Sequence, residues 1–382
     1  MFELYGNYSN AKIFQDRENV EEECVKQIQA MLDSESAEGS DIRIMPDLHA
    51  GAGCCIGFTQ KLADRVVPNL VGVDIGCGML VAKFDKAKVD KLFGCREGLK
   101  RLDKIWRQKI PMGMNHRQNV HPFADNVHLE NIKAPVNKDK LLYSIGTLGG
   151  GNHFGELDKD EEGNYYLVIH SGSRHLGLEV ARHHQNLAKE ILASEGNDHY
   201  GSVNLAYLKG ERMEDYLNDM KWSQEYAYWN REAMLEEIVD EFKLKKAVVQ
   251  KFHTIHNYID TENRIVRKGA ISLEAGELAI IPMNMRDGSL IVIGKGNEDW
   301  NYSGPHGAGR VLSRTAARNQ LKMEDFKSSM KDVFTTSVSI ATLDESPMAY
   351  RPMDQIVKNI GDTCDVVGRI IPIWNIKAGD DE

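Results

Sequence analysis

The sequence lacks the features that mark membrane, exported or repetitive proteins. It contains no apolar run of 18 or more residues, and its start, MFELYGNYSN, lacks the charged-then-apolar order of a secretory signal. It also shows no internal repeat, no low-complexity tract and no convincing interdomain linker. We therefore expect a cytoplasmic protein without a membrane partner, folded as a single domain over residues 1–382.

Cysteine is scarce, and its spacing argues against two common structural roles. The chain has 6 cysteines among 382 residues and no pair of Cys-x-x-Cys motifs. Without an export signal, so few cysteines argue against a disulfide framework. The missing second motif argues against a closed structural zinc site. The thiols are therefore expected to be free, and at least one is a candidate metal ligand.

Positively charged residues are fewer than negatively charged ones, with 47 Lys and Arg against 57 Asp and Glu. The formal net charge of −10 disfavours broad, nonspecific nucleic-acid binding. Residues 264–318 nevertheless carry eight Lys or Arg against five acids. A local basic groove in this segment is therefore still possible. The composition as a whole, with 42% apolar and 27% charged residues, is that of an ordinary globular protein.

Short apolar runs predict most of the strands. These runs are IRIMPDLH, VVPNLVGVDIG, YYLVIHSG, LAIIPMNM and SLIVIGKG, and each ends in a glycine-bearing or polar turn. Three-to-four spacing of apolar residues predicts a core-packed helical hairpin over residues 203–245, and residues 110–140 resemble a loop. The strands and helices do not alternate in a regular βαβ rhythm, which favours an α+β fold.

Four glycine-flanked polar motifs provide the first candidate chemistry. The first two are DIGCG, with Asp74 and Cys77, and GGGNHFGE, with Asn152, His153 and Glu156. The other two are HSGSR, with His170, Ser171, Ser173 and Arg174, and HTIHN, with His253, His256 and Asn257. Each motif alone is weak, because a histidine after a strand is often only hydrogen-bonded and DIGCG alone fits a tight turn around a buried thiol. Four junctions of the same kind together predict a catalytic metal site assembled from distant parts of the chain.

The segment GPHGAGRVLSR, residues 304–314, is a candidate phosphate-binding loop. Its glycines give access to the backbone, and Arg310 and Arg314 supply forked donors. It is not a Walker loop, because the Gly-Lys-Ser/Thr ending is missing. His306 could be an orienting donor, a general base or a nucleophile, and a simple helix-capping turn is the alternative. Near the end of the sequence, Tyr350 offers a ring for stacking and Lys377 offers a positive charge, although either could be an ordinary surface residue.

The motifs taken in order resemble those of RtcB-type RNA ligases. The resemblance rests on PDLHAGAG, GVDIGCGM, GTLGGGNHFGE, HSGSR, HNY, RKGAIS, HGAGRVLSR, SPMAYR and the closing IK, from about Asp47 to Lys377. It implies an α+β fold with packed β-sheets surrounded by helices. It also implies an enzyme that uses GTP and two Mn²⁺ ions to join an RNA 3′-phosphate or 2′,3′-cyclic phosphate to a 5′-hydroxyl end, in RNA repair or tRNA splicing.

The resemblance also assigns residues to roles. His306 would attack GTP and carry GMP, and Cys77 would bridge the two ions. The metal ligands would be Asp74, Cys77, His153, His170 and His256; the nucleotide contacts Asn152, Phe154, Glu156, Asn284, Ser289, His306, Ala308, Gly309, Tyr350 and Lys377; and the RNA or triphosphate contacts Arg174, Arg310 and Arg314. Manganese rests on the resemblance alone, because thiolate and imidazole ligands by themselves favour Zn²⁺ or Co²⁺.

Three departures from the family pattern favour a divergent branch. PMNMRDGS stands where PGSMG is usual and places Asn284 and Arg286 at Ser and Gly positions, while Ser289 keeps a hydroxyl. His175 replaces a glycine, and HAGAGCC replaces an HGYG-like loop. Asn284 and Arg286 keep one alternative open, a metal-dependent RNA 2′,3′-cyclic phosphodiesterase that does not ligate. A noncatalytic RNA-end binder that kept the pocket is a further alternative, against which the five intact metal-ligand positions argue. An archease-like activator or a release-factor-like repair partner is a further expectation.

Overall fold

The structure is a computed structural model that describes residues 1–197 and 204–379. The helices, in chain order, are α1 (Glu22–Leu32), α2 (Lys86–Phe93), α3 (Arg96–Lys109), α4 (Lys138–Leu142), α5 (His175–Ser194), α6 (Glu211–Glu241), α7 (Arg314–Gln320), α8 (Met323–Ser329) and α9 (Met353–Val357). The strands are β1 (Phe2–Tyr5), β2 (Asn10–Ile13), β3 (Asp41–His49), β4 (Ile56–Lys61), β5 (Arg65–Val66), β6 (Gly78–Phe84), β7 (Phe154–Lys159), β8 (Tyr165–Ser171), β9 (Leu208–Lys209), β10 (Val248–Ile255), β11 (Asn257–Asp260), β12 (Ile265–Lys268), β13 (Ala270–Ser272), β14 (Leu278–Asn284), β15 (Gly288–Gly294), β16 (Ser303–Pro305), β17 (Phe334–Thr335) and β18 (Cys364–Ile376).

One sheet of the described chain has six strands in the order β1-β2-β3-β4-β12-β11. Its pairs are antiparallel except for β2 and β3, and the register between β3 and β4 shifts between Ile44 and His49. Apolar residues of β2 to β4 and β12 form one core with α1, α5 and α6. This core holds the end of β3, and with it Asp47, next to the site described below.

A second, eight-stranded sheet of the described residues carries most of the motif residues. Its order is β10-β6-β8-β7-β18-β15-β14, and β17 runs parallel to β18. Side chains alternate across β8, so that Leu167 and Ile169 pack on α2, α3 and the end of α6, whereas Val168 and His170 face the other way. The same alternation places Glu156 of β7 on the face away from those helices, where a polar site can form.

The predicted α+β class, with sheets surrounded by helices, is confirmed. Four of the five predicted strands are present as β3, β8, β14 and β15, and residues 110–140 are largely turns and short helices. The strand over VVPNLVGVDIG is wrong. Of this run only Val66 belongs to a strand, β5. Pro68 begins a short 3-10 helix, since proline offers no N–H for a strand partner.

The predicted helical hairpin is also wrong. A single helix, α6, runs unbroken for 31 residues from Glu211 to Glu241, and residue 203 of the prediction lies outside the described residues. Sixteen of the α6 residues are buried, spread around much of its circumference, so the helix is packed between the two sheets and does not turn back on itself. The single-domain organisation stays a prediction. No helix in the described ranges has the length and apolar character needed to span a bilayer.

Candidate metal and nucleotide site

The turn before β6 presents Asp74 and Cys77. Gly76 sits between them with φ 73°, a left-handed conformation that glycine adopts without strain. A Cβ at Gly76 would lie 2.9 Å from the Cβ of Ala227, so the missing side chain also lets α6 approach the turn closely. The thiol and the carboxylate are thereby held against the start of a rigid strand.

Three histidines from separate elements converge on Cys77. The Sγ of Cys77 lies 3.4 Å from Nε2 of His153 and 3.2 Å from Nε2 of His170. His170 Nε2 lies 3.0 Å from His256 Nε2, and His153 Nε2 lies 3.0 Å from Oδ2 of Asp74. Backbone carbonyls orient two of the rings, since Leu148 accepts from His153 Nδ1 at 2.9 Å and Asn152 accepts from His170 Nδ1 at 3.2 Å.

These side chains form two candidate ligand groups among the described residues, and both contain Cys77. One group joins Cys77 to His170 and His256, the other joins it to Asp74 and His153, and the donor atoms in each lie within 4.8 Å of one another. Four of the five are buried, and Asp74 is partly buried. A thiolate can be shared by two cations, so the donor set fits a pair of divalent ions.

Burial sets the protonation chemistry of these ligands. It lowers the pKa of His170 and His256 well below the ordinary value, which keeps both imidazoles neutral and able to bind a metal. Burial, with the neighbouring Asp74 carboxylate, raises the pKa of the Cys77 thiol well above its usual range. A bound cation is the partner that would favour the thiolate.

His306 lies beside this ligand cluster, on the turn after β16. Its ring centroid is 5.0 Å from that of His256. Its Nδ1 lies 2.7 Å from Oδ2 of Asp47, a carboxylate that is fully buried and also accepts from the backbone N–H groups of His306 at 3.1 Å and Gly307 at 3.3 Å. The Asp47 contact favours a proton on Nδ1 and a lone pair on Nε2.

A cavity of about 390 Å³, here called the central cavity, opens next to His306. It brings together most of the residues predicted to bind the nucleotide, together with two ligand histidines and the two arginines of the loop. These residues are Asn152, Phe154, Glu156, His170, His256, Asn284, His306, Ala308, Gly309, Arg310, Arg314, Tyr350 and Lys377. The volume is typical of a small-molecule site.

Glu156 lies in the wall of the central cavity with little exposure to water. Asn375, its partner across β7 and β18, donates from Nδ2 to Glu156 Oε1 at 2.6 Å. Burial raises the pKa of Glu156 to about 7, although Asn375 and Lys377 oppose the shift. The other carboxylate oxygen is available to a ligand in the cavity.

Three of the predicted contacts are placed differently from the rest. Ser289 is fully buried in β15 and is not among the described residues that line the central cavity, and its nucleotide contact stays a prediction. Asn284 lines the cavity, but its side chain is engaged by Arg286 and Asp287 within the β14–β15 turn. Arg174 also lies outside the lining, where it donates to Thr147 Oγ1 and the Gly113 carbonyl.

Sequence reasoning missed the side chains that hold the ligand loops. Asn230 and Arg231 of α6 are fully buried, and Arg231 donates to the carbonyls of Gly76 at 2.8 Å and Ser171 at 2.7 Å. Nothing in the local sequence singles them out from other polar residues of a long helix. Asp47, also missed as a functional residue, was at least inside the quoted motif PDLH.

The sequence profile of the family described as tRNA-splicing ligase RtcB matches residues 34–139 and 124–378. The chain belongs to the RtcB family. Its match covers almost the whole described structure, including every predicted metal ligand and His306. The RtcB resemblance seen in the motifs is therefore confirmed.

Curated RtcB proteins agree over similar lengths. The chain is 33% identical to "RNA-splicing ligase RtcB1" of Escherichia coli over 377 residues, covering 88% of this chain and 90% of the relative. Identity to "RNA-splicing ligase RtcB" of Escherichia coli K12 is 32% with the same coverage. It is 26% to "tRNA-splicing ligase RtcB" of Pyrobaculum aerophilum, with 82% of each chain covered. Membership of this RtcB group supports RNA ligase activity.

Proposed function

We propose that this protein is a GTP- and Mn²⁺-dependent RNA ligase that joins a 3′-phosphate or 2′,3′-cyclic phosphate end to a 5′-hydroxyl end. The observation that carries the proposal is the position of His306, which lies between a buried carboxylate and two ligand groups that share Cys77. RNA with these ends would be the substrate. The cytoplasmic location and a partner such as an archease-like activator or a release-factor-like repair protein stay predictions.

His306 would act as the nucleophile toward GTP. Its Nε2 lone pair attacks the α-phosphorus, pyrophosphate leaves, and a nitrogen–phosphorus bond to GMP forms. The RNA 3′-phosphate oxygen then displaces His306 and takes GMP, and the 5′-hydroxyl finally displaces GMP to leave a phosphodiester. A cyclic phosphate end would first be opened by water to the 3′-phosphate. Asp47 holds the Nδ1 proton during the first step.

Asp74, Cys77, His153, His170 and His256 would hold the two metal ions. Two such ions neutralise charge that develops on the entering and leaving oxygens of a phosphoryl transfer. The donor set itself fits several divalent metals, and the assignment of Mn²⁺ follows the family resemblance.

The nucleotide would occupy the central cavity. The glycines beside His306 leave its backbone open, and a Cβ at Gly309 would come within 2.4 Å of the Asp47 carbonyl oxygen. Glu156 offers a carboxylate oxygen to donors on a base, which suits the N1–H and amino groups of guanine. Tyr350 and Phe154 lie in the same lining and supply aromatic faces.

RNA joining is the direct test of the proposed reaction. A labelled RNA with a 2′,3′-cyclic phosphate is mixed with a 5′-hydroxyl RNA, with and without GTP, in Mn²⁺, Co²⁺ or Zn²⁺. The expected result is a joined product that requires GTP and one of these metals. Opening of the cyclic phosphate without joining in any condition would instead support the phosphodiesterase, and binding without chemistry would support the RNA-end binder.

A further inference from the structure

Glu345 is a buried carboxylate at the wall of the central cavity, and the mechanism above does not use it. It ends the short 3-10 helix Leu343–Glu345 and is 4% exposed. Its Oε2 accepts from Tyr350 Oη at 2.8 Å and from Lys377 Nζ at 3.1 Å. Its Oε1 lies 2.7 Å from Nη1 of Arg314 and 3.4 Å from Nη1 of Arg310.

Glu345 is the anion at the centre of this group. Burial alone would raise its pKa, but Lys377, Arg314 and Arg310 together lower the pKa to about 2. These three cations therefore favour the charged form of the carboxylate. Since one carboxylate meets four donors, its removal changes the surroundings of every one of them.

Glu345 is the charged one of two described acceptors that contact the Lys377 ammonium group. Lys377 is 4% exposed, and the acceptors that contact its Nζ within the described chain are Glu345 and the Asn152 carbonyl, at 3.1 and 3.2 Å. An ammonium group has three N–H donors. Two are used by these acceptors, and the third remains for a ligand in the central cavity.

Lys377 and Glu156 present opposite hydrogen-bonding groups side by side. They lie at the adjoining ends of β18 and β7, and the Lys377 charge acts on the Glu156 carboxylate. A donor next to an acceptor matches guanine, whose O6 accepts while N1 and N2 donate. Adenine presents the reverse order at the same ring positions, since its N6 donates where guanine O6 accepts and its N1 accepts where guanine N1 donates. A Lys377 donor at O6 with a Glu156 acceptor at N1 and N2 would therefore favour guanine.

We propose that Glu345 is a positioning residue that holds Lys377 beside Glu156 and thereby makes the central cavity select guanine over adenine nucleotides. The inference rests on the proposed function, because it takes the cavity to be the nucleotide site. Glu345 itself need not touch the base. Its effect is on where the Lys377 donor lies relative to the Glu156 acceptor.

The test compares the affinity for GTP with that for ATP, measured by calorimetry in the presence of Mn²⁺, in the wild type and in Glu345→Gln. The two nucleotides share the triphosphate and differ in the base, so their ratio isolates base selection. Loss of a charge-assisted hydrogen bond network at Lys377 is expected to lower the GTP/ATP ratio about tenfold. A purely structural defect would weaken both nucleotides alike and leave the ratio unchanged.

Asp344→Asn is the matched control. Asp344 belongs to the same 3-10 helix, is 1% exposed, and pairs with Arg314 and Arg318, whereas its carboxylate has no described contact with Lys377. This variant removes one buried negative charge next to the same arginine. It is expected to keep the wild-type GTP/ATP ratio, because a change at Arg314 acts on the triphosphate that the two nucleotides share and leaves the Glu345–Lys377 contact in place.

Lys377→Met keeps the inference testable even if Glu345→Gln folds poorly. It removes the donor directly and should lower the ratio as Glu345→Gln does, and the double variant should show no further loss. If Glu345→Gln or Lys377→Met keeps the wild-type GTP/ATP ratio, the positioning role of Glu345 is overturned, while the proposed function still stands. A wild type that binds neither nucleotide, or both equally, would overturn the proposed function together with this inference.

Discussion

At the scale of single residues, the pair formed by Asp47 and His306 decides how the proposed nucleophile is prepared. Three N–H groups point at one Asp47 oxygen, those of the His306 ring and of the His306 and Gly307 backbone. This fixes the ring and directs the Nε2 lone pair away from β3. The tautomer of the imidazole is therefore set by a buried residue that is not among the described residues lining the central cavity.

Asp47→Asn is expected to slow formation of the GMP adduct by at least about a hundredfold, because an amide can turn an N–H toward Nδ1 and disfavour the reactive tautomer. The measurement is the first-order rate of label transfer from GTP to protein. Asp219→Asn provides a control, since Asp219 forms a similar buried pair with His184 at 2.9 Å outside the central cavity. Equal rates for Asp47→Asn and the wild type would refute the orienting role.

At the scale of elements, α6 holds the loops that carry the metal ligands through hydrogen bonds to their backbone. Asn230 Oδ1 accepts from the N–H groups of Gly146 at 2.8 Å and Thr147 at 3.0 Å, and its Nδ2 donates to the carbonyls of Thr147 and Gly172, each at 3.1 Å. Its neighbour Arg231 reaches the carbonyls before Cys77 and after His170. One turn of a single helix thus ties together the loops that carry Cys77, His153 and His170.

Asn230→Ala should lower the free energy of unfolding by about 2–4 kcal/mol, because it leaves several buried backbone groups without partners. Urea denaturation of the metal-free protein measures this loss. Gln224→Ala, on the same helix, removes one hydrogen bond to the Ile259 carbonyl at 3.0 Å and should cost only about 1 kcal/mol. If both variants lose the same small amount of unfolding free energy, Asn230 does not hold the ligand loops as described.

The metal ligands could be predicted from the sequence, whereas the α6 residues that hold their loops could not. Glycine-flanked histidines at strand ends are unusual enough to predict a shared metal site. Asn230 and Arg231 stand within a long polar and apolar helix pattern, and their role depends on which loops fold against that face. Ser289 lies outside the lining of the central cavity for a related reason. A strand pattern tells which residues share a face but not which face borders the cavity.

At the scale of the whole molecule, the fold brings residues from distant parts of the chain, such as His49, Asn152, His306 and Lys377, around the central cavity. The order of strands in the eight-stranded sheet could not be predicted from the sequence. The last strand, β18, lies between β7 and β15, which are far from it in the sequence or from each other. This position of β18 places Lys377 next to Asn152 and Glu345. The composite character of the site is therefore a property of the complete fold.

The central claim is that His306 carries GMP during the reaction, and adduct formation tests it most directly. The protein is incubated with GTP labelled at the α-phosphate, with Mn²⁺ and then other divalent ions, and the labelled peptide is identified by mass spectrometry. We predict one metal-dependent GMP adduct on His306, absent from a folded His306→Ala variant. No adduct with any metal, or equal labelling of His306→Ala, would contradict the account.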